Sequence, residues 1–165
     1  MKTLAIGNST NFINFAIFSG EILEEYGKIK VDESFKHYID ISDIVKAHEI
    51  SFVVLGSIDL DNCKRRNALR LAKIRTIIKL ICEQEGVVYT TPSTYGWDKF
   101  ILGDKIQGVK LAIEKVRIIN AVFDMNLDEK DTESRDLANA IMLGSAFTQN
   151  KYKVYKKGEY DLWVN

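Results

Sequence analysis

The segment DLANAIMLGSAF, residues 136–147, contains the pair of residues most suggestive of chemistry, Asp136 and Asn139. With Ala140 and Leu143 they complete the i, i+3, i+4, i+7 spacing that gathers side chains on one face of a helix. This face thus presents one carboxylate beside an amide, an acid and a near-acid at the start of an apolar helical run. Glu133 and Asp136 make a second acidic pair at the same spacing. Other reactive types are scarce. His37 and His48 are the only histidines, so a histidine-metal or Ser-His mechanism has little to draw on. Cys63 and Cys82, the only cysteines, lack the paired spacing of a zinc site and are expected to be reduced thiols that pack. Carboxylate chemistry remains.

A chain of 165 residues is expected to form one domain with a real core. It has no apolar run near the roughly 18 residues of a membrane span and no basic-then-apolar leader, which predicts an intracellular, cytoplasmic protein with no membrane partner. Formal charge is balanced, 23 basic against 23 acidic residues, but segregated. Lys64, Arg65, Arg66, Arg70, Lys73, Arg75 and Lys79 occur without an intervening acid, whereas 124–136 is acidic. One basic face would suit phosphate.

The elements that must position these residues follow from hydrophobic period and turn chemistry. Leu4 to Ile6, Phe12 to Phe18 and Ile22 to Ile29 read as three antiparallel strands with turns at 7–11 and 19–21. Phe35, Tyr38, Ile39, Ile44 and Val45 make a helix with Asp32 as N-cap and Glu33 in its first turn. SFVVLGS reads as a strand covered on both faces. Residues 61–85 form a long helix that Gly86 stops, burying Ala68, Leu71, Ala72, Ile78, Ile81 and Cys82 and presenting Arg66, Arg70 and Lys73 as a stripe. VVYTT is a fifth strand, PSTYGWDKFILGDK a loop, and 105–123 and 132–148 are helices. The tail, 150–165, reads as an extension with a hairpin at Lys157-Gly158. The order predicts an α/β fold with a mixed five-stranded sheet and helices on both faces. Ligands of such sheets bind beyond the carboxyl ends of neighbouring strands, here Gly7 and Gly56.

These local sequences, in this order, resemble the RuvC family of Holliday junction resolvases, its phage members most, within the ribonuclease H-like fold. The resemblance spans about residues 2–149. LAIGNSTNFINFAIF is similar to the family's first strand and hairpin, FVVLGSIDL to its fourth strand, RLAKIRTIIKLICEQEGVVYTTPSTYGWDKFILG to its long helix, fifth strand and loop, and DLANAIMLGSAF to its terminal helix. The resemblance implies a metal-dependent endodeoxyribonuclease that cuts branched DNA as a homodimer, with four carboxylates holding two Mg2+ (or Mn2+) ions about 4 Å apart. At the matching positions this chain has Gly7, Gly56, Asp136 and Asn139, so metal binding is doubtful and catalysis is expected to be impaired. Replacing Gly7 by Asp, Gly56 by Glu and Asn139 by Asp would rebuild the set. If Asp136 and Asn139 are misplaced, Glu133, Asp59 and Asp61 are the acids to consider.

Each of these residues also has a plainer reading. Gly7 and Gly56 are ordinary strand-ending glycines. Arg66, Arg70 and Lys73 are a solvated face or a DNA-phosphate surface. Tyr95 and Trp97, beside Lys99 and Lys105, are core residues or platforms for unpaired bases. Ser9 and Thr10 are turn residues or phosphate contacts. Leu71, Ile74, Ile78 and Ile81 exceed one core contact and are expected to form a dimer face. Three functions compete: a junction resolvase, a junction-binding protein of that fold that does not cut, and a nucleotide-binding domain with GNST at the phosphate. The last would need a second glycine-rich loop that the sequence lacks.

Overall fold

The structure, a computed structural model, describes residues 1–7, 9–32, 34, 36–56, 64–92 and 108–149. Its elements are β1 (Lys2–Ile6), β2 (Phe12–Ser19), β3 (Ile22–Lys30), α1 (Lys36–Ala47), β4 (Phe52–Leu55), α2 (Arg65–Glu85), β5 (Val88–Thr90), α3 (Gly108–Phe123) and α4 (Thr132–Thr148). The five strands form one sheet in the order β3-β2-β1-β4-β5. β1, β2 and β3 pair antiparallel, while β1 with β4 and β4 with β5 pair parallel, so the expected mixed α/β sheet is present.

Central strands covered on both faces can be apolar at nearly every position, and these are, apart from Lys2, Thr3, Asn14 and Ser19. Leu4, Ile6, Ile13, Phe15, Ile17, Val53 and Leu55 pack against Ile41 and Val45 of α1 and Ile74, Ile78 and Ile81 of α2. The alternate positions Ala16, Phe18 and Val54 pack on the other face against Val116 and Ile119 of α3 and Ala138, Ile141 and Leu143 of α4. Edge strand β3 is mostly exposed. Among the described residues no helix is long and apolar enough to cross a membrane.

Two expectations need correction. Leu71, Ile74, Ile78 and Ile81 do not form a dimer face: all four are buried within the single chain, because the same 3.6-residue stripe that reads as surplus apolar surface is consumed by α1 and the sheet. Ala72, predicted to be inward, is exposed. The helix containing Tyr38 begins at Lys36, and Asp32 serves its start: the carboxylate accepts the Ser34 N–H at 3.1 Å, the Ser34 hydroxyl at 2.7 Å and the backbone N–H of Lys36. Gly86 does end α2, in the left-handed region at φ 67°. The buried Cys82 thiol is pushed up to about 11 by burial, which suits packing. Glu33, Phe35, Cys63 and the tail at 150–165 lie outside the described residues.

Helix α4 approaches the sheet more closely than ordinary side chains allow. A Cβ built on Gly144 would stand 2.7 Å from Cδ2 of Phe18 and 2.9 Å from Cβ of Ala5. Both neighbours are fully buried and have nowhere to retreat. Gly144→Ala should therefore destabilise the protein by about 2 kcal/mol through overpacking, despite alanine's better helix propensity. Urea unfolding of the two proteins measures the difference.

Candidate functional site

Parallel pairing of β1 with β4 brings their carboxyl ends together, and the Gly56 N–H donates to the Ile6 carbonyl at 2.9 Å. Gly7 continues β1 by donating to the Asn14 carbonyl at 2.9 Å. Above it lies the first half of α4: a Cβ on Gly7 would stand 3.2 Å from Cβ of Ala140 and 3.4 Å from the Asp136 carbonyl. The helix starts where it does because the Asp131 carboxylate caps it, accepting the Ser134 N–H at 2.8 Å and the Ser134 hydroxyl at 2.9 Å. Gly7, Gly56 and the Asp136–Ala140 turn are thus brought to one end of the sheet, and Ala140 leaves little room for a side chain on Gly7.

Asp136 is partly buried there, and desolvation raises its pKa above the usual 3.8; a hydrogen bond from Ser9 and the nearby Arg135 charge oppose the shift. Ser9, predicted to be a turn residue or phosphate contact, thus attends the carboxylate. Glu133, the other member of the alternative acidic pair, forms an ion pair with Lys28 of β3 instead.

Asn139 has an unexpected neighbour. Lys115 of α3 is only 6% exposed, and its Nζ donates to Asn139 Oδ1 at 2.8 Å. The α3–α4 connection that sets this distance is held by Asn120, whose amide donates to the Leu127 carbonyl and accepts the Leu127 N–H, both at 2.9 Å. Among the described residues no group of three or more His, Cys, Asp or Glu side chains could hold a metal ion. The donor set of one carboxylate, two glycines and an amide oxygen already facing an ammonium does not fit two divalent cations.

Sequence reasoning missed Lys115, although its signal was present: in AIEKVRII it lies four residues before Ile119 and three after Ala112, on the helix's apolar face. It also missed Asn14, which is buried opposite Gly7 with no hydrogen-bond partner for its Oδ1 among the described residues. Asn14 lines a cavity of about 260 Å³ with Gly27, Lys28, Glu133 and Leu137.

Arg66, Arg70 and Lys73 are exposed as expected. Because α2 joins two parallel strands, it runs antiparallel to them, which puts its basic first turns, with Lys64 and Arg65, at the same end of the sheet as Gly7 and Gly56. Two of the seven basic residues serve the protein itself. Arg75 is half-buried and its Nη2 donates to Thr91 Oγ1 at 2.8 Å, while Lys79 lies 5.4 Å from the centroid of the Tyr89 ring. Tyr95, Trp97, Lys99, Lys105, Asp59 and Asp61 lie outside the described residues.

The sheet order, with helices on both faces, makes a RuvC-like fold of the ribonuclease H-like class. Thermus thermophilus RuvC is similar to this chain with a TM-score of 0.70 at 9% identity, over 93% of this chain and 96% of that one. The same protein in complex with a Holliday junction substrate is similar at 0.67 and 11% identity, with the same coverage. The fowlpox virus Holliday junction resolvase is similar at 0.62 and 14% identity, over 91% of this chain and 99% of that one. Neither a protein-family model nor a curated protein sequence matches the chain.

The raised pKa of Asp136 sets a pH dependence. A folded-state pKa above the unfolded value means the folded chain binds the proton more tightly, so this contribution is full below pH about 4 and is lost as pH rises through the folded pKa. Asp136→Asn, which mimics the neutral acid, should raise Tm near pH 7 by roughly 2 °C or more. The gain should vanish toward pH about 3.5, where the native carboxyl is itself protonated. Thermal unfolding across pH 3.5–7 in about 0.15 M salt, chosen to damp long-range charge effects, measures it.

Proposed function

We propose that the chain is a branched-DNA protein of the Holliday junction resolvase type, binding four-way junctions and carrying a phosphodiester-hydrolysis centre that is impaired. The observation that supports this reading best is the likeness of fold over nine-tenths of the chain to a RuvC seen with its Holliday junction substrate. The basic first turns of α2 beside the carboxyl ends of β1 and β4 add to it. In this reading Arg66, Arg70 and Lys73 contact phosphates, Tyr95 and Trp97 stack on unpaired bases, and Lys99 and Lys105 hold the strand that enters the site. Asp136, Asn139, Gly7 and Gly56 occupy the positions of the catalytic acids, and Mg2+ or Mn2+ is the cofactor their full set would take.

A homodimer matches the two-fold symmetry of a four-way junction. The inward stripe of α2 is buried within the single chain, so this contact falls to other surfaces. The protein would act in the cytoplasm, in a bacterium or in a phage-infected host.

The alternative, a binding protein that does not cut, gains from one observation: the Asn139 oxygen is engaged by an ammonium. Both readings require junction binding. A four-way junction should bind more tightly than a linear duplex of equal length, with log K falling steeply as salt rises. Arg66→Gln with Arg70→Gln should weaken binding to every junction sequence alike and lower the salt slope by about 2, near 0.9 per lost phosphate contact. Gel-shift titrations from 50 to 200 mM salt, a range of about one decade or more in affinity for such proteins, test this. Equal affinity for junction and duplex would refute the reading.

A further inference from the structure

Lys115 is a cation inside the protein, and its placement says more than that the metal ligands are incomplete. It stands on the apolar face of α3 beside Val116 and Ile119, both fully buried. A charged ammonium is tolerated at such depth only where oxygen atoms receive its protons. Asn139 Oδ1 receives one at 2.8 Å, a normal length for a charge-assisted N–H···O bond. Because lysine has only donors, the side-chain oxygen of Asn139 and not its nitrogen must face Nζ, so the amide orientation is determined. One lone pair of the residue-139 oxygen is therefore directed at the lysine.

We propose that the Lys115 ammonium takes the place of a divalent cation against residue 139, giving the site a built-in counter-cation that excludes Mg2+ and Mn2+. This rests on the reading of this end of the sheet as a resolvase-type centre. A dication brought to the same oxygen would meet an ammonium a few ångströms away, in surroundings that screen charge poorly. Restoring acid at 139 alone would then create a buried ion pair between Lys115 and the new carboxylate, and not a metal ligand. Residues 115 and 139 form one unit: an acid at 139 binds metal only when the lysine is gone.

The test is a cycle of four proteins: the unaltered chain, Asn139→Asp, Lys115→Met, and the two combined. Thermal unfolding with excess Mn2+, or with chelator, reads metal binding to the folded state without any need for activity. Mn2+ should raise Tm of the double variant by roughly 5 °C and move the other three by less than about 1 °C. A shift in Asn139→Asp as large as in the double variant would overturn the proposal, since the ammonium would then exclude nothing. No shift in the double variant would overturn it too, because residue 139 would not face a cation position. Should the double variant fail to fold, Lys115→Gln with Asn139→Asp keeps a polar group at 115. Equilibrium dialysis against Mn2+ then replaces the melting readout: metal bound by this pair alone supports the proposal, and metal bound equally by Asn139→Asp, or by neither, overturns it. Junction gel shifts of the same proteins report the functional reading separately, so loss of one leaves the other standing.

Discussion

The close seating of α4 on β1 and β2 is the constraint on which the rest of the site depends. Ala140 lies over Gly7 and Gly144 over Ala5 and Phe18, with no spare volume at either contact. Small residues every fourth position let the helix descend onto the sheet, and the same turns carry Asp136 and Asn139. Anchoring and site are one stretch of sequence, so residues 136–144 cannot be altered for one purpose without affecting the other. The point bears directly on rebuilding the acidic set. An aspartate at Gly7 must push against Ala140, which belongs to the rigid helix, while a carboxylate in place of the Asn139 amide meets Lys115. Neither substitution is a simple restoration of charge.

Electrostatics at this end of the sheet follow from what surrounds each group. Burial holds Asp136 toward its neutral form despite the Ser9 hydrogen bond and Arg135. Lys115, deeper still, depends on Asn139 for one of its proton acceptors. A centre that held two dications would place four negative charges here, a charge these surroundings do not balance without metal.

The strands were legible because β1, β2 and β4 are covered on both faces and so read as apolar runs, and because Gly20 and Gly86 mark real turns at positive φ. The pairing of Asp136 with Asn139 was legible for the same reason as any helix face. What failed were inferences that need a partner's location. Leu71, Ile74, Ile78 and Ile81 look like surplus surface only if α1 is ignored, since α1 and the sheet bury them. Ala72 is small enough to fit either side of α2, so its pattern carries no direction. Lys115 was overlooked because a lysine is assumed to reach solvent, and only the folded hairpin of α3 and α4 shows an oxygen waiting for it. Asn14 hid in an apolar strand; its place opposite Gly7 is a matter of strand register, which one sequence does not display.

The central claim is that this chain has the architecture of a resolvase and, as proposed, a hydrolytic centre that is impaired. The most direct measurement is the fate of a radiolabelled four-way junction, held by excess protein, during prolonged incubation with Mg2+ or Mn2+. The account predicts a stable complex from which intact strands are recovered, with or without metal. Efficient metal-dependent nicking at symmetric positions flanking the branch point would contradict it, and would mean that two cations are held by acids besides Asp136.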